Sequence, residues 1–211
     1  MSHPVNEPIL GYSPGSKERI EIKAELDRQI SEVIEIPCII NGKEVFTGNI
    51  TTQVIPHNHN HIIARVHLAG KDEMENACKA AVNAQQNWID IGLESRCEIF
   101  EKCADLLAGE WRMKVNASTM LNQSKTVFQA EIDSACELID FWRFNCFYAR
   151  NFHDDLQPLV SPPGVKNSTE IRPLEGFVLL IRQLMTKVDC AHVLHDFPIV
   201  HPSPASLENP Q

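Results

Sequence analysis

Apolar side chains change their spacing twice along this chain, and each change marks a different kind of element. Residues 1–14 are polar and carry Pro4, Pro8, Gly11 and Pro14, which predicts an extended arm. From Ser16 to about Val33, Ile20, Ile22, Leu26 and Ile30 recur near helical spacing, with Ser16 as the natural N-cap. Ile36-Pro37-Cys38-Ile39-Ile40, Asn41-Gly42 and Glu44-Val45-Phe46 then read as a hairpin, because Asn-Gly tolerates the positive φ angles of a type I′ turn. Thr51–Ile55 and Ile62–Leu68 are a second strand pair.

After Gly70 the period becomes helical. Lys71 to Trp88 aligns Met74, Cys78, Ala81 and Ala84, and Ser95 to Leu107 aligns Ile99, Cys103, Leu106 and Leu107, each set expected to face inward. Trp111 to Asn122 is a third helix of this group. Thr126 to Arg150 is the longest, with Ile132, Ala135, Ile139, Trp142, Cys146 and Ala149 in a sustained stripe. Pro158 to Gly164 is a loop, and Gly176–Ile181, "GFVLLI", has the wholly apolar character of a buried strand. Beyond it, residues 182–211 hold Pro198, Pro202, Pro204 and Pro210 without clear periodicity, as expected of a weakly ordered tail.

Composition narrows the classes. The chain has 211 residues, 43% apolar and 22% charged, which is ordinary for a globular protein. Its net charge of -9 argues against nucleic acid and anionic membranes as partners, since both require clustered Lys and Arg. The seven cysteines are odd in number and lack C-x-x-C spacing, which suits reduced thiols in an intracellular protein. Met1 to Tyr12 has neither a secretory signal pattern nor a clear transit-peptide pattern, and no apolar run approaches the length needed to span a bilayer.

Candidate chemistry is sparse. In "HNHNHIIARVH" the residues His57, His59, His61 and His67 invite a metal reading, but a row along one strand does not converge tetrahedrally, so exposed turn residues are expected. "QSKT" at 123–126 lacks the upstream glycines of a phosphate loop and reads as a helix start capped by Ser124 or Thr126. Cys136 and Cys146 lack a neighbouring base at helical distance, so packing is expected of both. In "AEIDSACELIDFWRFN" the acids at 133, 137 and 140 form one stripe next to Phe141, Trp142 and Phe144. That stripe is either a solvated face or part of a cavity wall around Glu137.

The segments "NEPILGYSPGSKER", "IPCIINGKEVFTG", "VIPHNHNHIIARV", "QSKTVFQAEIDSACELIDFWRFN" and "LEGFVLLI" together resemble the N-terminal region of the delta-1-pyrroline-5-carboxylate dehydrogenases, in the aldehyde dehydrogenase superfamily. The likeness runs in consistent order over about residues 6–181. It implies an α/β fold: an N-terminal fragment of an NAD-binding domain, with hairpin, helices, one buried strand and an incomplete sheet. Residues 1–35 would be an arm and helix, 36–181 the partial NAD-binding domain, and 182–211 an unrelated tail.

The resemblance also implies NAD-dependent oxidation of glutamate γ-semialdehyde to glutamate, in proline catabolism in the mitochondrial matrix. The family uses a cysteine nucleophile, hydride transfer to nicotinamide and a glutamate-activated water. Of the family's functional residues, Glu137 is carried over, matching the glutamate that lines the aldehyde tunnel near the substrate's amino-acid head. The family's Ser-Pro-Phe-Asn turn is replaced by Arg182-Gln183-Leu184-Met185, so no cofactor-binding residue is carried over. NAD therefore belongs to the intact family, and this chain is expected to bind none and to be inactive. Two smaller departures are His57, in place of an aromatic, and Ser124, where the family usually has Gly.

Helices at 71–150 normally cover a parallel sheet. Without that cover Ile99, Leu106, Ile132, Ile139 and Trp142 would partly face water; losing about 1,000 Å² of apolar burial forfeits roughly 25 kcal/mol. Self-association, or binding to a full-length homologue as a non-catalytic interaction module, follows as the partner expectation. A small metal-binding protein built on the histidines is the weaker alternative.

Overall fold

The structure is a computed structural model that describes residues 3–155, 160–169 and 171–178. Its elements are α1 (Lys17–Ser31), β1 (Ile34–Ile36), β2 (Cys38–Ile40), β3 (Lys43–Val45), β4 (Ile50–Ile55), β5 (Asn58–His67), α2 (Lys71–Asp90), α3 (Gly92–Ala108), α4 (Arg112–Gln123), α5 (Val127–Ala130) and α6 (Glu137–Asp155). A π-turn, Glu131–Cys136, joins α5 to α6, so the long helix read from Thr126 onward is interrupted.

Local chemistry sets several boundaries as expected. Ser16 Oγ accepts the Arg19 amide at 3.3 Å and starts α1. Thr126 accepts the Gln129 amide while the Gln129 side chain accepts the Thr126 amide, a reciprocal cap that starts α5. β2 and β3 pair antiparallel across Asn41 and Gly42, whose φ angles of 51° and 71° fit a type I′ turn. Ser124 ends α4 in the left-handed region at φ 57°.

The sheet has the order β1-β5-β4, with β1 parallel to β5 and β4 antiparallel to it. β4 turns into β5 through Pro56-His57 alone, with Ile55 paired to Asn58. His59 and His61 therefore lie on a strand rather than in the turn expected from Pro56 and the asparagines. Register shifts around Val54 absorb the irregularity that those polar residues signal.

The core lies between helices. Ala104 and Leu107 of α3 meet Ala135, Leu138 and Ile139. Cys97 meets Cys146 and Ala149 further along the same contact. Tyr12 and Ile22 pack on Ala117, while Ile55 and Ile63 pack on Leu121, which ties the arm, α1 and the sheet to α4.

Three expectations are corrected. α3 turns Cys97, Ala104 and Leu107 inward, leaving Ile99 and Leu106 at 45% and 39% exposure. Both stripes have helical spacing, and the one through Cys97, Ala104 and Leu107 is the one packed on Leu138, Ile139, Cys146 and Ala149 of α6. α2 buries no residue fully; Met74, Ala81 and Ala84 are exposed. Gly176–Val178 forms no strand, with Phe177 and Val178 at 47% and 38% exposure. An apolar run becomes a buried strand only where neighbours hydrogen-bond it, and the described residues place none beside 176–178. Leu179–Ile181 and the 182–211 tail lie outside the described residues.

Candidate functional site

Glu137 is the first residue of α6, directly after the π-turn, and its side chain is exposed. Phe141, Tyr148 and Phe152 follow at helical spacing and are exposed too, so the carboxylate heads an aromatic stripe along the outer face of α6. Asp140, one turn from Glu137, is held by the arm: its oxygens accept Asn6 Nδ2 and the Glu7 amide, each at 2.7 Å.

Beneath this face lies a buried polar cluster centred on Glu131. Its Oε1 accepts the Leu10 amide at 2.8 Å and Arg112 Nη2 at 2.5 Å. Its Oε2 accepts Tyr12 Oη at 2.7 Å and Asn116 Nδ2 at 2.8 Å. Arg112 also donates to Glu7 at 2.6 Å and to the Pro8 carbonyl at 2.7 Å. Burial alone would push the Glu131 carboxyl up, but hydrogen bonds from Arg112, Leu10 and Tyr12 outweigh it and hold the group below the usual carboxylate range. Burial, with Glu131 as acceptor and neighbouring charge, pushes the Tyr12 phenol well above its ordinary value.

Sequence reasoning passed over Glu131 and Arg112, although Glu131 stands in the quoted acidic segment. Helical periodicity puts apolar residues inside, and nothing local marks one of four acids as the buried one. The signal lay in a distant Arg and Tyr.

The remaining candidates separate. His57 Nδ1 lies 2.7 Å from Ser124 Oγ, and His61 Nε2 lies 2.9 Å from the Ile30 carbonyl. His67 is buried, accepting the Gly48 amide at Nδ1 and meeting Glu35 at 2.8 Å through Nε2. Thus His57, His61 and His67 have separate partners, and no group of metal-ligating residues occurs among the described residues. Cys136 is buried, and burial with the nearby Glu131 charge pushes its thiol up to about 11. Cys146 is buried against Cys97, donating toward its carbonyl at 3.6 Å, so both thiols pack rather than react.

A dinucleotide needs cations or helix amides free to meet its phosphates. An open cleft of about 700 Å³ between the arm, α3 and α6 contains Arg143 and Arg150. Arg143 is paired with Glu7 and Asp105, and Arg150 with Glu94 and Glu101. Both guanidinium groups of this cleft are therefore already paired with carboxylates. Among the described residues, no helix is long and apolar enough to cross a membrane.

Comparison with known proteins places the family and the fold. The Aldehyde dehydrogenase family matches residues 47–182. The delta-1-pyrroline-5-carboxylate dehydrogenase of Agaricus bisporus is 45% identical over 177 residues, covering 83% of this chain and 32% of its own. The mitochondrial enzyme of that name from Danio rerio is 44% identical over 176 residues, covering 83% and 31%. The solved Mycobacterium tuberculosis delta-pyrroline-5-carboxylate dehydrogenase bound with NAD and cobalamin superimposes with a TM-score of 0.80 at 40% identity, over 84% of this chain and 33% of that one. A Thermus 1-pyrroline-5-carboxylate dehydrogenase with bound NAD superimposes with a TM-score of 0.70 at 25% identity, over 78% and 31%. The chain thus spans about a third of the length of these relatives. It belongs to the aldehyde dehydrogenase family, and within that family its likeness is to the delta-1-pyrroline-5-carboxylate dehydrogenases.

Proposed function

We propose that these residues form the N-terminal, substrate-side part of an NAD-dependent dehydrogenase acting on glutamate γ-semialdehyde, and that the 211-residue chain alone does not turn this substrate over. The observation that carries the reading is Glu137: an exposed carboxylate at the head of α6, followed by Phe141. A carboxylate there can accept the ammonium head of an amino-acid aldehyde, and the aromatic face can cover its aliphatic part. The relatives' names support the substrate class, and the NAD-bound solved relatives support the cofactor. The mitochondrial designation of the Danio rerio and Homo sapiens relatives supports the mitochondrial matrix as the compartment.

Of the six described thiols Cys97, Cys136 and Cys146 are buried and Cys38, Cys78 and Cys103 half-buried, and the arginines of the open cleft are paired, which supports the expectation of inactivity. The test is NADH formation by the purified chain with NAD and the semialdehyde. None above background is expected; measurable turnover would sink the second half of the proposal. Joined to the remaining two thirds of the Danio rerio enzyme, residues 3–178 are expected to restore NADH formation.

A second reading, a non-catalytic module that binds a full-length homologue, is favoured by the uncovered Ile99 and Leu106 of α3 and by the exposed face of α2. Co-purification of the Danio rerio enzyme with the tagged chain is its expected outcome. Loss of that capture in Ile99→Glu/Leu106→Lys would assign the contact to α3.

A further inference from the structure

The exposed Glu137 and the buried Glu131 are linked by the π-turn between them. The amide of Glu137 itself closes the last bond of that turn, onto the Ile132 carbonyl. In an α-helix, residues five apart point about 140° away from each other. Here Glu131 and Cys136, five apart, both reach Arg112 Nη2, at 2.5 and 3.3 Å. The extra residue of the π-turn is what brings them to one side. The same insertion rotates everything downstream by about 100°, so it decides the direction from which Glu137 projects. Such turns are rare and are frequent at functional sites.

We infer that Glu131 is a positioning residue for Glu137: through Arg112 it clamps both ends of the π-turn and so aims the substrate-side carboxylate. The clamp extends into the arm, because Leu10 and Tyr12 donate to Glu131 while Pro8 accepts from Arg112. The arm is thus part of the support for Glu137. This inference rests on the reading of Glu137 given above.

The test separates the two. In the chimera carrying residues 3–178 on the Danio rerio enzyme, Glu137→Gln is expected to raise KM for the semialdehyde about tenfold, the loss of one charged hydrogen bond. Tyr12→Phe removes only a hydroxyl that steadies Glu131, and is expected to raise KM about threefold with kcat within about twofold. Ser134→Ala is the control: its hydroxyl lies in the π-turn but bonds Thr119 at 2.7 Å and not the clamp, so KM is expected to hold.

An unmoved KM in Glu137→Gln overturns the reading of Glu137. A raised KM there with an unmoved one in Tyr12→Phe overturns the positioning role alone. Equal effects of Tyr12→Phe and Ser134→Ala overturn it too, as general loosening. If the chimera does not fold, amide exchange in the 211-residue chain decides. Tyr12→Phe is expected to speed exchange at residues 132–137 without touching 97–107, and unchanged exchange at 132–137 overturns the clamp.

Discussion

Glu131 keeps a charge where water does not reach, and only its full set of donors makes that tolerable. Breaking a buried ion pair on one side leaves the other charge uncompensated and costs about 3–5 kcal/mol. Arg112→Met is therefore expected to lower the urea midpoint strongly, whereas Arg112→Met with Glu131→Leu recovers much of the loss. The pH dependence has a definite sign. The Glu131 carboxyl is held below its ordinary value in the folded chain, so its contribution is complete above about pH 4.3, the unfolded value, and fades as pH falls through the folded value. Unfolding followed at about pH 6 and about pH 3 should show a smaller loss in Glu131→Gln than in the parent. The two small departures from the family pattern prove to be partners, since His57 meets Ser124 at 2.7 Å. Ser124 sits at φ 57°, where a glycine is at ease and a serine is strained by about 1 kcal/mol. Ser124→Gly is expected to raise stability by less than about 1 kcal/mol, the lost hydrogen bond offsetting part of the gain.

At the scale of elements, capping and turn chemistry explain why the starts of α1 and α5 and the hairpin turn could be read from local residues. Ser16→Ala should cost about 1 kcal/mol through loss of the α1 cap, measured by the same urea midpoint. The faces of the helices were less legible. α3 has two apolar stripes, and a hydrophobic period cannot say which of them meets α6. The π-turn was illegible for a related reason: Ala135, Ile139, Cys146 and Ala149 keep a helical period, and an inserted residue shows only when Glu131 and Cys136 are seen on one guanidinium.

For the whole molecule, the balance of covered and uncovered surface matters most. α2 buries nothing fully, and the outer stripe of α3 and the aromatic stripe of α6 are open to water. Exposed large apolar side chains such as Ile99, Leu106 and Phe152 favour association. The isolated chain is expected to run on a sizing column as concentration-dependent oligomers, and Ile99→Glu/Leu106→Lys to shift it toward the monomer. A monomer across the whole concentration range would count against that expectation.

The residues by themselves determined the Asn41-Gly42 turn, the cap at Ser16 and the resemblance that singles out Glu137, because each depends on neighbours close in the chain or on a motif. Tertiary structure alone decided which acid is buried, which stripe of α3 faces inward and that Gly176–Val178 has no strand beside it among the described residues. Those outcomes depend on partners far away in sequence: Arg112 and Tyr12 for Glu131, α6 for α3, and hydrogen-bonding strands for an apolar run. Burial and pairing are properties of neighbours in space, and a linear pattern states only which residues could accept them.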